Sequence, residues 1–249
     1  MIATPRPEAI ARTPQQPNGL TLGELVIATG ILMAIAVVGI ALLLPATRSA
    51  RPTARRMECQ NNIKQIALAL LNYTSQNHAL PPAYTVDADG KPLHSWRTLI
   101  LPYLDQKPLY DKIDLTKAWD DPVNAEAFQT KVSVYCCPVA IGPENNATYL
   151  AVVTSNSCFH PTEPRRLSEI TDDQSQTLMV IEVDADHAVP WMTPRDADES
   201  LILALGPKNK LAHSSGMNAA FVDGRTEFLN ANLTIDRLRA LISIAGSDN

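Results

Sequence analysis

Apolar residues are concentrated near the N-terminus of the chain. From Leu25 to Leu44 the sequence runs through twenty residues without a charged side chain. A helix of that length rises about 30 Å, which matches the hydrocarbon thickness of a bilayer. The run is apolar on all sides, so a buried helix of a soluble domain is rejected as its interpretation. The pattern predicts a transmembrane helix over residues 20–46.

The length of this apolar run also bears on whether the segment is cleaved from the mature protein. A cleavable secretory signal has an apolar core of about 7–15 residues followed closely by a small-residue cleavage site. Here the core is longer and ends at Pro45, ahead of an Arg-rich stretch. A retained anchor is therefore the preferred interpretation.

A second helical pattern follows the prolines. Apolar residues recur at helical spacing, with polar residues between them, at Ile63, Ile66, Ala67, Leu70 and Leu71. This stripe predicts an amphipathic helix over residues 47–80 that continues from the membrane into a head domain. Pro81 and Pro82 are expected to end it.

Residues 81–249 have short periodic runs and many turn signals, which predict a globular head. Short runs predict a helix or strand at Ser95–Leu104 and strands at Val132–Cys136, Tyr149–Thr154 and Thr177–Val183. The predicted fold class is α+β, with the long N-terminal helix packed on an antiparallel β-sheet.

The head is predicted to end in a hairpin and a helix. Asn218–Val222 and Arg225–Leu229 flank Asp223-Gly224, which favours a two-residue turn with positive φ at both positions. Leu233–Ile244 then predicts a closing helix, with Thr234 as its N-cap.

Composition excludes several classes of protein. The chain has 249 residues, 45% of them hydrophobic and 19% charged, with a net charge of -5. These totals exclude a basic nucleic-acid binder, a disordered acidic tail and a disulfide-dense mini-domain. The charge is uneven, because six basic and two acidic residues precede Met57. The chain is thus a basic leader, a spanning helix and an acidic head.

One carboxylate, Glu24, stands at the start of the apolar run. A charge at membrane depth costs several kcal/mol unless it is paired, so it indicates function, although a side chain at headgroup level is the plainer alternative. The surrounding sequence from Asn18 to Leu25, NGLTLGEL, resembles the cleavage and methylation signal of type IV prepilins and type II secretion pseudopilins.

The resemblance implies a role for each residue of the signal. Residues 1–19 would be a leader that a prepilin peptidase removes after Gly19, and Leu20 would become the N-methylated terminus. Glu24 would guide assembly, since its carboxylate and the ammonium of an incoming Leu20 neutralise each other in a low dielectric. The implied partners are the peptidase, other pilin-like subunits and the lipid bilayer, with no nucleic acid. The implied fold is pilin-like.

Orientation in the membrane is a point of conflict. Four arginines, at positions 48, 51, 55 and 56, follow the span, whereas only Arg6 and Arg12 precede it. The positive-inside tendency would place the head in the cytoplasm. The resemblance implies the opposite: a single-pass protein of the inner membrane, with its leader in the cytoplasm and its head outside. We follow the resemblance, because cleavage requires that geometry.

The head resembles a bacterial family of prepilin-like proteins with a domain of unknown function. Matching segments include Cys59–Tyr73, Leu80–Ala83, Ser95–Arg97, Leu101–Leu104, Leu109-Tyr110, Cys137-Pro138, Glu169–Asp172 and Val189–Trp191. That family carries a C-terminal His-x9-Asp-Gly motif, and His213, Asp223 and Gly224 reproduce it. We expect these three residues to be structural, with His213 bonded to the turn or to a neighbouring strand, because no third metal ligand or activated nucleophile is evident.

The four cysteines are expected to pair if the head lies outside the cytoplasm. Cys136 and Cys137 are adjacent and would form a strained ring, so pairing with Cys59 or Cys158 is favoured. The resemblance implies Cys59 with Cys137. A zinc site lacks a C-x-x-C element, and a catalytic cysteine lacks an evident histidine partner.

Acidic residues suggest a calcium site as a hypothesis, and no other cofactor is expected. The residues concerned are Glu182, Asp184, Asp186, Asp196, Asp198 and Glu199, which lack EF-hand spacing and more often form a solvated face.

Two non-enzymatic functions are favoured over a third, an envelope hydrolase that uses His213 and Asp223. The first is a structural subunit of a pilus or type II secretion pseudopilus. The alternative is a membrane-tethered envelope binding protein that uses the prepilin signal only for export and anchoring.

Overall fold

The computed structural model describes residues 21–204, 211–213 and 215–246. The α-helices are α1 (Leu22–Asn77), α2 (Trp96–Leu99), α3 (Lys107–Tyr110), α4 (Ala125–Gln129), α5 (Glu199–Leu203) and α6 (Ile235–Ile242). The strands are β1 (Tyr84–Val86), β2 (Pro92–Ser95), β3 (Asn146–Ala147), β4 (Tyr149–Ala151), β5 (Leu178–Glu182), β6 (Val189–Pro190), β7 (Gly216–Phe221) and β8 (Thr226–Asn230). Short 3-10 helices lie at Leu101–Leu104, Pro122–Asn124, Ser133–Tyr135 and Leu167–Glu169. The fold is mixed α+β, with antiparallel sheets.

The chain divides into two compact units, residues 1–51 and residues 52–249. In the first unit, Leu22–Ala41 is a 20-residue helical segment that is long and apolar enough to cross a membrane. Its large apolar side chains are exposed; Leu22, for example, is 81% exposed. By length and composition, the segment is compatible with a single-pass membrane anchor or with a signal sequence.

The second unit is organised around a four-stranded antiparallel sheet with the order β4-β5-β7-β8. Side chains of β4 alternate between two hydrophobic clusters. Tyr149 and Ala151 join the buried face of α1, which contributes Ile63, Ile66 and Leu70 among others. The other face of the sheet packs on α5 and α6. Because both faces are covered, β5 and β7 are buried along their whole length.

The β7–β8 hairpin is confirmed, but its predicted two-residue turn is wrong. The Gly224 N–H donates to the Phe221 carbonyl, and the Phe221 N–H donates to the Arg225 carbonyl, both at 2.9 Å. Only Gly224 has positive φ, at 81°. The loop is therefore the three-residue type, a turn closed by a left-handed glycine. The closing helix α6 and its N-cap Thr234, which accepts from the Arg237 N–H, are confirmed.

Two other local predictions are wrong. Residues 133–135, within the predicted strand Val132–Cys136, form a 3-10 helix, because the Cys136 N–H turns back to the Ser133 carbonyl. Helix α1 ends at Asn77, before the prolines that were expected to stop it. His78 adopts a left-handed conformation, with φ 62°, and breaks the helix there.

Candidate functional site

The start of the apolar helix carries the first group of predicted functional residues. Gly19 and Leu20 lie outside the described residues. Glu24 lies in the first turn of α1, where its Oε2 accepts hydrogen bonds from the Thr21 N–H at 2.8 Å and the Thr21 hydroxyl at 2.9 Å. The Thr21 Oγ1 in turn accepts from the Glu24 N–H at 3.4 Å. This reciprocal arrangement is a capping box, which satisfies amide donors that a helix start leaves unpaired.

The second group lies in the head, around the cysteines. Cys59, on α1, forms a disulfide with Cys137, which follows the 3-10 helix Ser133–Tyr135. Backbone and side-chain hydrogen bonds hold both cysteines against β4. The Cys137 N–H donates to the Thr148 hydroxyl at 2.7 Å, and the Tyr149 hydroxyl donates to the Cys59 carbonyl at 3.1 Å.

The other two cysteines are not bridged. Cys136 is half-buried and Cys158 is buried, and both carry free thiols. Burial raises the pKa of the Cys158 thiol to about 12, which suits a structural thiol rather than a nucleophile.

A buried carboxylate stands beside the disulfide. Glu182 is the last residue of β5, and its side chain is fully buried. Its Oε2 accepts from the Asn218 backbone N–H at 3.0 Å and from the Asn218 Nδ2 at 2.6 Å. Its Oε1 lies 3.3 Å from the His213 Nε2. Tyr149 lies opposite Glu182 in the sheet. Burial of the phenol is the larger cause that raises the pKa of Tyr149, and the nearby Glu182 charge raises it further.

His213 closes the group from the start of β7. The His213 N–H donates to the Gly216 carbonyl, and the Gly216 N–H donates to the His213 carbonyl. These two hydrogen bonds fix the chain where it enters β7. The His213 side chain is 11% exposed and rests near the Phe228 ring, with 6.1 Å between ring centroids. The imidazole is therefore held at the edge of a buried group of polar atoms.

Donor atoms of Cys59, Cys137, Glu182 and His213 all lie within 4.8 Å of one another. Two expectations from the sequence are corrected by this arrangement. The cysteines do have a histidine beside them, and His213 does have neighbouring residues of metal-ligating type. Sequence spacing missed the group because its members come from distant parts of the chain.

The His-x9-Asp-Gly motif does not form a single site. His213 precedes β7 and Asp223 follows it, so a six-residue strand separates them, about 20 Å at 3.4 Å per residue. Asp223 Oδ1 accepts the Arg225 N–H at 2.8 Å within the turn. The Gly224 carbonyl accepts from Lys64 Nζ on α1 at 2.7 Å. A Cβ on Gly224 would lie 2.7 Å from Leu71 Cδ1, so glycine permits close contact with α1.

The acidic series considered for calcium is divided among separate contacts. Asp184 Oδ1 accepts from the Asp186 and His187 N–H groups at 2.7 and 3.1 Å. Asp196 pairs with buried Arg97, and Asp198 caps α5. Glu182 is the member of the series that joins the group around the cysteines.

Comparison with known proteins finds a similarity to a protein family. Residues 48–154, somewhat under half of the chain, match the model of a family described as "Protein of unknown function (DUF1559)". No curated protein and no solved structure matches the chain. The matched stretch contains Cys59 and Cys137, and this part of the chain is similar to a family whose function is unknown.

Proposed function

We propose that this protein is a prepilin-like, single-pass membrane protein of the inner membrane, with its leader in the cytoplasm and its head outside. After cleavage behind Gly19 and methylation of Leu20, it would serve as a structural subunit of a pilus or type II secretion pseudopilus. Its partners would be the prepilin peptidase, other pilin-like subunits and the lipid bilayer. The proposal gives the chain no reaction of its own.

The observation that carries the proposal is the prepilin-type signal joined directly to an exposed apolar helix. The signal spans Asn18–Leu25, and the apolar segment spans Leu22–Ala41. The family that matches residues 48–154 often has a prepilin-like N-terminus, which adds support. A pilin-like architecture, with the helix packed on a sheet, belongs to the same proposal.

Glu24 has two physical roles that experiment can separate. In the capping box it accepts hydrogen bonds from Thr21, a role that a neutral glutamine also fulfils. In assembly it would neutralise the ammonium of a neighbouring Leu20, a role that requires the negative charge. The first role concerns the helix start, and the second concerns contact between subunits.

The test follows the N-terminal mass and filament incorporation in cells that contain the prepilin peptidase. We expect wild type, Glu24→Gln and Thr21→Ala to be cleaved after Gly19 and methylated. Glu24→Gln, which keeps the cap without the charge, should lose incorporation, whereas Thr21→Ala should retain it. An uncleaved leader on the wild type would refute processing, and normal incorporation of Glu24→Gln would refute the charge-based assembly role.

The alternative is a membrane-tethered envelope binding protein. It is favoured by the size of the second unit, residues 52–249, which has hydrophobic clusters on both faces of its sheet. Glu24→Ala distinguishes the two functions. If the protein is a structural subunit, the variant should lose the filament incorporation that wild type shows. If it is a tethered receptor, neither protein enters a filament, and the variant should be processed, membrane-bound and as abundant as wild type.

A further inference from the structure

Four donor atoms of the types that bind transition metals meet beside the main sheet. They are the sulfurs of Cys59 and Cys137, a carboxylate oxygen of Glu182 and a ring nitrogen of His213, all within 4.8 Å of one another. They come from α1, from the loop before β3, from the end of β5 and from the entry to β7. The fold thus assembles a compact donor set from four separate parts of the chain.

A structural disulfide alone does not account for this group. A disulfide needs no polar neighbours, yet the fully buried Glu182 has an oxygen, Oε1, that accepts no hydrogen bond. Burying an ionised carboxylate costs several kcal/mol unless hydrogen bonds or opposite charge compensate it. Oε1 is directed to the same place as the His213 Nε2, which lies 3.3 Å away. The His213 Nε2 also lies 3.4 Å from the Asn218 Nδ2, so Oε1 is the atom without a hydrogen bond, and a cation between Glu182 and His213 would compensate its charge.

We propose that Cys59, Cys137, Glu182 and His213 bind a divalent cation of the zinc type when the two cysteines are thiolates. Thiolate, imidazole and carboxylate are the ligands that Zn²⁺ takes in proteins, and four of them complete a tetrahedral structural site. The disulfide is the metal-free form of the same site.

The two forms exclude each other for geometric reasons. A disulfide holds its sulfurs about 2.05 Å apart. Tetrahedral coordination at about 2.3 Å from the metal holds two sulfurs nearly 4 Å apart. A bridged pair therefore cannot supply two thiolate ligands, and a metal-bound pair cannot be bridged.

Interconversion of the two forms requires two electrons. Two molecules of a low-mass thiol supply them by thiol–disulfide exchange: they become joined as a disulfide, and their protons pass to Cys59 and Cys137. Zn²⁺ then displaces both thiol protons as it binds. In the reverse direction a low-mass disulfide accepts the two electrons, two protons are taken up, and the cation leaves as the Cys59–Cys137 bond forms.

The experiment uses the full chain in detergent micelles, either oxidised or reduced with a phosphine without oxygen. Each form receives Zn²⁺, is passed through a desalting column and is assayed for zinc by mass spectrometry. We expect about one ion per chain in the reduced protein and none in the oxidised protein. His213→Gln and Glu182→Gln should weaken binding about tenfold or more. Cys136→Ser, which changes the adjacent free cysteine, is the matched control and should bind as wild type.

Two results would overturn the inference. One is reduced wild type that retains no more zinc than the oxidised protein, and the other is a Cys136→Ser variant that loses zinc as fully as Cys59→Ser does. Re-formation of the Cys59–Cys137 disulfide, followed by alkylation and mass, shows whether His213→Gln and Glu182→Gln still fold.

If those variants do not fold, Co²⁺ spectra of the reduced wild type show whether the proposed ligands bind the metal. Thiolate-to-cobalt charge transfer with tetrahedral d–d bands supports the proposed ligands. Octahedral bands without charge transfer overturn them.

Discussion

Arg97 and Asp196 form a buried ion pair that joins separate parts of the head. The Arg97 Nη2 lies 2.6 Å from the Asp196 Oδ1, and the two side chains are 0% and 4% exposed. The same oxygen accepts from the Trp96 indole at 2.9 Å and from the Ala151 N–H at 2.8 Å. Burial raises the pKa of Asp196, and the Arg97 charge opposes that effect. The pair links the start of α2 to β4 and to the segment before α5.

Removal of this carboxylate should destabilise the head strongly. We expect Asp196→Ala to lower the free energy of unfolding by about 3–5 kcal/mol, because it leaves the buried Arg97 charge uncompensated. Asp111→Ala breaks the exposed pair with Lys107 and should cost at most about 1 kcal/mol. Urea unfolding followed by tryptophan fluorescence measures both variants. Equal losses would show that burial of the Arg97 pair is not what matters.

At the scale of elements, the sequence predicted what local pattern controls. The apolar run, the stripe beginning at Ile63 and the turn glycine Gly224 all led to correct element types. Prediction failed where a single backbone conformation decided the outcome. The left-handed His78 ends α1 before the prolines, and the Cys136 N–H closes a 3-10 turn where a strand was expected. A period of apolar residues does not encode such conformations.

Helix α5 begins at an ionised cap that should respond to acid. The Ser200 hydroxyl and the Leu201 N–H both bond to the Asp198 carboxylate and hold its pKa below the usual value. A carboxyl group whose pKa is lower in the folded than in the unfolded protein stabilises the fold at any pH above its unfolded-state pKa. That contribution is lost as the pH falls through its folded-state pKa.

We therefore expect the unfolding midpoint to fall as the pH drops below about 4, partly because of Asp198. Asp198→Asn keeps an N-cap that does not ionise, so its midpoint should depend less steeply on pH than that of wild type. Ser200→Ala removes one of the two donors and should give an intermediate slope. The measurement is thermal unfolding by circular dichroism between pH 3 and pH 7. Parallel profiles for wild type and Asp198→Asn would contradict the assignment.

At the scale of the whole molecule, the group around the cysteines shows the limit of sequence reasoning. Cys59, Cys137 and His213 were each singled out by resemblance, and Glu182 by its charge. Their proximity depends on the register between β4, β5 and β7, which no spacing in the chain specifies. The capping box was missed as well, although Thr21-x-x-Glu24 is a local pattern that the sequence displays and that could have predicted it.

The disulfide should contribute much of the head's stability. It joins residues 78 positions apart, and closing a loop of that length raises the free energy of the unfolded chain by about 4.5 kcal/mol at 25 °C, because it lowers the chain's entropy. We expect the double variant Cys59→Ser, Cys137→Ser to lose about that much, measured by urea unfolding of oxidised protein with a metal chelator present. Cys136→Ser should lose far less. A double variant as stable as wild type would mean that the bridge constrains little of the unfolded chain.

The position of Cys59 determines how the head responds to mechanical load. A pull that enters the second unit at Pro52 passes along α1 and reaches Cys59 before it reaches Ile63 and Leu70, which pack against the sheet. While the bridge to Cys137 is intact, peeling of the helix stops there, and the force passes through a covalent bond into the loop beside β4. The force then does not separate the contacts of Ile63 and Leu70 with the sheet one after another. If that bond were opened, the same force would instead separate α1 from the sheet.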